Sequence, residues 1–225
     1  MDLSPAYLLT ILEVAWINIL LSGDNAVVIA LACRSLPDHQ RRIGIFMGSA
    51  AAIALRIIFA FMVTRLMAVP FLQAVGGALL VWIAIGLARG SNGNHDVKAH
   101  ESLWHAVGTI AVADAAMSLD NVVAIAAVAR GDHWLFIVGL ALSIPLIVVG
   151  ATLISKLLEK LPVLVWVGAA LLGWIAGEMI GDDRALLSAL GLIHTTAAHY
   201  AAAMIGLGLV ITAAYALKRR DRAAA

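Results

Sequence analysis

Two short stretches of the sequence place polar residues inside long apolar runs. Asp24 and Asn25 lie in LLSGDNAVVIALA, and Asp120 and Asn121 lie in MSLDNVVAIAAVA. A charged side chain near the centre of a bilayer costs at least about 2.5 to 3.5 kcal/mol on insertion scales, so such residues usually mark a function. The two stretches therefore predict a polar site inside a membrane protein.

Carboxylates outnumber basic side chains at membrane depth. Glu13, Asp24, Asp114 and Asp120 lie well inside apolar segments, whereas Arg56 is the only base there. One arginine neutralises one carboxylate, so the remaining acids must be protonated or share a cation. The charge balance predicts a cation site among the helices, with Arg56 as a structural counterion to one of the acids.

Helical spacing groups further polar side chains with these acids. Residues three or four apart share a helix face. Two groups have this spacing, one in each stretch: Asn18, Ser22 and Asn25, and Asp114, Ser118 and Asn121. Carboxylate, amide and hydroxyl oxygens suit Mg²⁺, Ca²⁺ and Mn²⁺, whereas Zn²⁺, Ni²⁺ and Cu²⁺ sites usually include imidazole or thiolate. We therefore predict a site for a hard divalent cation, with these candidate ligands: Asp24, Asn25, Asp120, Asn121, Asp114, Asn18, Glu13, Ser22 and Ser118.

Structural roles compete with this interpretation. Asp24 and Asp120 would also fit as protonated carboxyls that join helices, although their duplication argues against it. Hydrogen bonding between helices explains the amides and hydroxyls equally well. Five histidines are further candidate metal ligands: His95, His100, His105, His194 and His199. Because spacings of five do not share a helix face, we expect them to be solvated loop histidines.

Helices must hold these residues at membrane depth. Of the 225 residues, 63% are hydrophobic and 13% are charged, which is more apolar than a soluble domain. Apolar segments of about 20 residues, long enough to cross a bilayer, occur over 6–33, 43–64, 67–88, 103–129, 134–154, 161–180 and 200–217. The sequence predicts an all-α polytopic membrane protein, with seven transmembrane helices in a single domain over 1–225. We expect the protein to lie in the lipid bilayer, to bind no nucleic acid and to hold no prosthetic group. A homo-oligomer is possible, and the sequence leaves the oligomeric state open.

The two polar stretches belong to an internal repeat. Residues 18–34 and 114–130 agree at seven of seventeen positions. The repeat unit is three helices, 6–89 and 102–181, followed by a seventh helix over 197–217. An odd number of crossings inverts the second copy, an arrangement typical of secondary transporters with a midplane site at interrupted helices. Gly23 favours such an interruption in the first helix, and Leu119 makes it weaker in the fourth.

The distribution of Lys and Arg predicts the orientation. Alternate connections carry eleven of these residues on one side and three on the other, with Arg56 inside a helix. Because basic loops face the cytoplasm, we expect the N-terminus outside and the C-terminus in the cytoplasm. The N-terminus MDLSPAY has no basic region, so the first apolar segment is expected to be a retained helix.

At these residues the chain resembles the TerC family of bacterial membrane proteins, within the wider group of LysE-like exporters. The resemblance rests on LSGDNAVVIALACRSLP, on ALRI around Arg56, on DAAMSLDNVVAIAAVA and on GLALSIPLIVVGA around Pro145. It implies a transporter in the bacterial inner membrane that exports a divalent cation, usually manganese. It also implies that Asp24, Asn25, Asp120 and Asn121 lie at the metal, followed by Asp114.

Other functions are compatible with parts of the sequence. A membrane partner that delivers metal to secreted proteins would use the same site. Two membrane aspartates also resemble those of intramembrane aspartyl proteases, but the tyrosine-aspartate and GxGD motifs of that class are missing. We therefore expect a transporter and not an enzyme, with protons as a candidate coupling ion because the same carboxylates would bind either species.

Overall fold

The computed structural model describes residues 12, 16, 23–66, 69–89, 99–128 and 133–224. Over these residues the chain forms helices and no strand: α1 (Gly23–Cys33), α2 (Asp38–Leu66), α3 (Leu72–Arg89), α4 (Ala99–Val128), α5 (His133–Lys160), α6 (Val163–Asp182), α7 (Arg184–Ala189) and α8 (Thr196–Ala224). The predicted all-α class is confirmed.

Four helical segments of the described chain are long and apolar enough to cross a membrane, judged by length and composition. They are Asp38–Phe59, Leu72–Arg89, Val163–Asp182 and Thr196–Asp221. Large apolar side chains point away from the core, and Trp82 is 71% exposed, as expected for a surface that faces lipid. The structure is that of a multi-pass membrane protein, while the count of seven spans and their inverted arrangement stay predictions.

Several helices extend beyond the apolar segments that predicted them. The second begins at Asp38 instead of residue 43, directly after Pro37, and carries an acid in its first turn. Hydropathy detects only the lipid-facing part of a helix, whereas the backbone hydrogen bonds continue into polar flanks. The short helix α7 was not predicted; Asp183 caps its start by accepting a hydrogen bond from the Leu186 amide at 2.9 Å.

Close packing brings α2, α4 and α1 together. Leu103 lies against Gly44, and Ile110 lies against Gly48, where an added Cβ would come within 3.2 Å of the Ile110 Cγ2 atom. The order of these contacts means that α2 and α4 run parallel. Cys33 also lies against Gly44, whereas Asn25 shares a gap with Asp114 further along α4, so α1 runs antiparallel to α4.

Polar contacts distinguish the two ends of the helix bundle. At one end, which we call the basic end, Arg41 pairs with Glu159, Arg89 pairs with Asp221 at 2.9 Å, and Lys218 lies 5.2 Å from the Trp166 ring centre. At the opposite end, the Ala74 amide donates to the Asp183 carboxylate at 2.9 Å. These contacts of Arg41, Arg89 and Lys218 thus lie at the end of the bundle where the sequence predicts most of the Lys and Arg residues of the connections.

Small residues set the separation of α6 and α8. A Cβ at Gly177 would lie 2.7 Å from the Cα of Ala203, and one at Gly173 would lie 2.8 Å from the Gly206 carbonyl oxygen. Real Cβ atoms are not found at such distances from backbone. The two helices therefore contact each other backbone to backbone, as small-residue motifs allow in membranes.

We predict that Gly177→Ala destabilises the protein by about 1 to 3 kcal/mol, because the added methyl group meets backbone that cannot move independently. Gly208→Ala on α8 is the matched control, since a Cβ there meets nothing within 4 Å. The control should leave stability unchanged or raise it by up to about 1 kcal/mol. Thermal unfolding of both variants in detergent tests this, and equal melting temperatures would contradict the packing.

Candidate metal-binding site

A buried ion pair lies between α2 and α4. The Arg56 Nη2 atom donates to Asp114 Oδ1 at 2.7 Å, and its Nε atom lies 3.4 Å from Oδ2. The side chains of Arg56 and Asp114 are only 1% and 3% exposed. The close approach at Gly48 and Ile110, about two turns before Arg56 and one turn before Asp114, positions the pair. Arg56, predicted to be the counterion of one of the membrane acids, therefore pairs with Asp114.

The spacing of four between Asp114 and Ser118 produces a direct contact. The buried Ser118 hydroxyl donates to Asp114 Oδ2 at 2.9 Å, so both carboxylate oxygens of Asp114 accept hydrogen bonds. Three donors fix the position of this carboxylate, because hydrogen bonds are stronger in a low-dielectric interior.

The Asn25 side chain faces this pair without a hydrogen bond of its own. It is 3% exposed, and neither its Oδ1 nor its Nδ2 atom has a partner among the described residues. Asn25 and Asp114 line the same narrow gap, whose other walls are Val28, Ile29, Ala52 and Ile110. A buried amide normally finds partners, and one without them indicates a site for a ligand or water.

Asp24 adds a second carboxylate next to Asn25. It is half-buried, it accepts a hydrogen bond from the Asn25 backbone amide at 2.8 Å, and it is close enough to Arg56 and Asp114 to interact with their charges. An acid, an amide and an ion-paired acid therefore converge from α1 and α4, which is a set of oxygen atoms suited to a hard divalent cation.

Other predicted ligands fall outside the described part of the chain. Glu13, Asn18 and Ser22 are not among the described residues, and neither is the predicted interruption before Gly23. Asp120 and Asn121 belong to α4 by its backbone, but the side chains described in α4 are those of residues 103–118. The helix runs without a break past Leu119, as a good helix former in place of glycine allows.

A second polar group, which the sequence did not predict, occurs at the end opposite the basic end. His199 lies on α8 instead of in a loop, and its Nδ1 atom is 2.8 Å from Asp182 Oδ1. The His194 Nε2 atom lies 2.9 Å from the same oxygen. The expectation of solvated histidines considered only residues on one helix, whereas this group is assembled across two helices and a connection.

Comparison with known proteins identifies the family. A model of the integral membrane protein TerC family matches residues 3–222. The chain belongs to the TerC family. Among curated relatives of this TerC protein, the uncharacterized membrane protein YjbE of Bacillus subtilis (strain 168) is 42% identical over 180 residues, which cover 80% of this chain and 83% of the relative.

Two further relatives come from the same organism. The uncharacterized membrane protein YkoY is 26% identical over 75% of this chain and 60% of the relative, and YceF, with the same description, is 28% identical over 72% and 67%. No solved structure matches the chain significantly. The resemblance predicted from the two Asp-Asn stretches is confirmed at the level of the family.

Proposed function

We propose that this TerC protein is a secondary transporter that exports a divalent metal cation, Mn²⁺ in preference to others. The proposal rests first on the buried Asn25 amide, which has no partner among the described residues and lines the same gap as Asp114. The gap is too narrow for a water molecule in this conformation, so an ion would enter when the helices separate, and it would then exchange water for the Asn25 oxygen and for nearby carboxylates. Mn²⁺ accepts such oxygen ligands.

The charges that the proposal assigns to the site match a divalent ion. Asp24, Asp114 and Asp120 contribute three negative charges when ionised, and Arg56 contributes one positive charge. The remainder of two negative charges is balanced by one Mn²⁺ or by two protons. Because burial of uncompensated charge is costly, the site favours states in which one of these is bound, as exchange of metal for protons requires.

Arg56 has a defined part in this scheme. In the structure it pairs with Asp114, and Ser118 holds the second oxygen of the same carboxylate. We propose that the arginine serves as the counterion of Asp114, and that Asp24, Asn25, Asp120 and Asn121 provide the ligands that exchange. The antiparallel course of α1 and α4 supports a site shared by two inverted halves.

The orientation and direction form part of the proposal. We place the basic end in the cytoplasm of the bacterial inner membrane, with the N-terminus outside and the C-terminus inside, because Lys and Arg concentrate there. A divalent ion that leaves an inside-negative cell climbs about 4.6 kcal/mol for each 100 mV, since each charge costs about 2.3 kcal/mol. Export therefore needs an energy source, and proton antiport supplies it.

We predict that Mn²⁺ flux in sealed vesicles follows an imposed pH gradient. Vesicles loaded with a Mn²⁺-sensitive dye and containing the purified protein should take up Mn²⁺ when their lumen is acidic, and reversing the gradient should reverse the flux. Vesicles with protein and equal pH on both sides are the control, and empty vesicles report leakage. Flux that is insensitive to the gradient would contradict antiport, and no Mn²⁺ flux in any condition would contradict the transport proposal itself.

A further inference from the structure

Four side chains with metal-binding chemistry converge at the end of the bundle opposite the basic end. Glu178 and Asp182 lie four residues apart near the end of α6 and share a helix face. His199 lies in the first turn of α8, and His194 lies in the connection before it. One ligand atom each from Asp182, His194 and His199 lies within 4.8 Å of the others.

Local structure explains how residues distant in sequence meet here. Gly181 lets α8 approach, since a Cβ at that position would lie 2.7 Å from the Ala202 Cβ. Gly191 has a φ of 65°, which reverses the chain after α7 and is a conformation that glycine adopts without strain. Thr195 then caps α8 by accepting a hydrogen bond from the Ala198 amide at 3.1 Å.

We propose that Asp182, His194 and His199 form a binding site for a transition-metal ion of the Zn²⁺ type. Ligand atoms that bind Zn²⁺ tetrahedrally at about 2.0 to 2.1 Å lie about 3.4 Å apart. The two imidazole nitrogens already lie 2.9 and 2.8 Å from Asp182 Oδ1. Small side-chain rotations would therefore place an ion between them without movement of the helices.

The surroundings of His199 fit the role of a metal ligand. While its Nδ1 atom faces Asp182, its Nε2 atom lies 3.2 Å from Glu178 Oε1. Glu178 in turn accepts a hydrogen bond from the Trp174 indole at 2.8 Å. A carboxylate on the far nitrogen fixes the orientation and tautomer of a ligating imidazole. Glu178 is thus a positioning residue, which would hold the proton on Nε2 when Nδ1 loses its own proton to bind the ion.

This donor set differs from that of the gap near Asn25. Two imidazoles and a carboxylate favour borderline metals such as Zn²⁺, whereas oxygen atoms alone favour harder ions. Three protein ligands leave a position for water, which is typical of sites with exchangeable ligands and not of closed structural sites. His194 is 57% exposed, so ions reach the site from solvent. The inference does not depend on the proposed transport function.

A purely structural role is the alternative. The same hydrogen bonds would join α6 to α8 without any metal, and in that case the histidines would contribute to stability alone. If the group is a metal site, one added ion should bind per chain, and loss of one imidazole should remove that binding. If its role is structural alone, no such binding should occur. Direct titration of the purified protein therefore separates them.

The test uses the full chain in detergent after treatment with a chelator, with Co²⁺ as a spectroscopic probe and Zn²⁺ as a competitor. We expect Co²⁺ to produce a visible absorption band that saturates at one ion per chain and is removed by Zn²⁺. His194→Ala and His199→Gln should each raise the Kd at least about tenfold, and Glu178→Gln should raise it about 10- to 100-fold. His39→Ala is the matched control, an exposed histidine in the first turn of α2, and should bind like the wild type.

Each outcome of the titration decides the proposal. Absence of a saturable band in the wild type, or an unchanged Kd in both histidine variants, would overturn it and leave a structural contact between α6 and α8. Thermal unfolding of the metal-free variants shows whether they fold, and His199→Gln keeps a hydrogen-bonding side chain in case an alanine variant does not. Because binding is measured without a membrane gradient, failure of Mn²⁺ transport would not alter this result.

Discussion

Asp24→Asn should reduce Mn²⁺ export to less than about one tenth of the wild-type rate while the protein stays in the membrane. The amide keeps the size and the hydrogen bonding of the carboxylate but removes a negative oxygen from a site whose charge matches the ion. A loss of as little as about 1.4 kcal/mol in binding is a tenfold loss of affinity. Asp120→Asn should have the same effect, because the repeat assigns it the same position in the second half.

The measurement is Mn²⁺ accumulation in cells that lack their own exporter, with membrane abundance determined for each variant. Asp38→Asn is the matched control because this acid lies at the start of α2 with its side chain 89% exposed, and it should export normally. An amide costs less in lipid than a carboxylate, so reduced insertion would not explain a loss. Near-normal export by either well-expressed Asp24→Asn or Asp120→Asn would refute the shared site.

Much of the fold could be predicted from the sequence because a bilayer permits few backbone conformations. Long apolar runs must form helices, since backbone groups in lipid can be satisfied only within the segment. The ends of the helices were harder to predict, as the start of α2 at Asp38, five residues before the predicted apolar segment, shows. The six residues of α7 are too few to give a periodic pattern, and their cap at Asp183 becomes apparent only from the structure.

The candidate site was predictable where residues act within one helix. The spacing of Asp114 and Ser118 foretold a shared face, and the structure shows their hydrogen bond. Charge counting indicated a counterion in Arg56 but did not select its partner, because that choice depends on the packing of α2 against α4. The group around Asp182 was missed for the same reason, since His199 is 17 residues away along the chain and meets the acid only where α6 and α8 converge.

The buried pair gives Arg56 two possible roles, one in the stability of the fold and one in the binding of the transported ion. Breaking a buried ion pair by removing one partner costs about 3 to 5 kcal/mol, whereas replacing both partners with apolar residues is often neutral. A transport role and a structural role can thus be separated by comparing a single and a double substitution.

We predict that Arg56→Met lowers the free energy of unfolding by about 3 to 5 kcal/mol, because it leaves the buried Asp114 carboxylate without its counterion. Adding Asp114→Leu should restore most of the lost stability, whereas Mn²⁺ export should stay well below that of the wild type, because Asp114 lines the gap beside Asn25 and an apolar side chain there offers the ion no oxygen. Arg89→Met is the control: its pair with Asp221 is 38% and 23% exposed, and such pairs contribute less than about 1 kcal/mol. Thermal and denaturant unfolding in detergent, together with the export assay, measure both quantities. Equal stability losses for Arg56→Met and Arg89→Met would show that the buried ion pair contributes no more to stability than the exposed one. Normal Mn²⁺ export by the stable double variant would show that Asp114 is not part of the metal site.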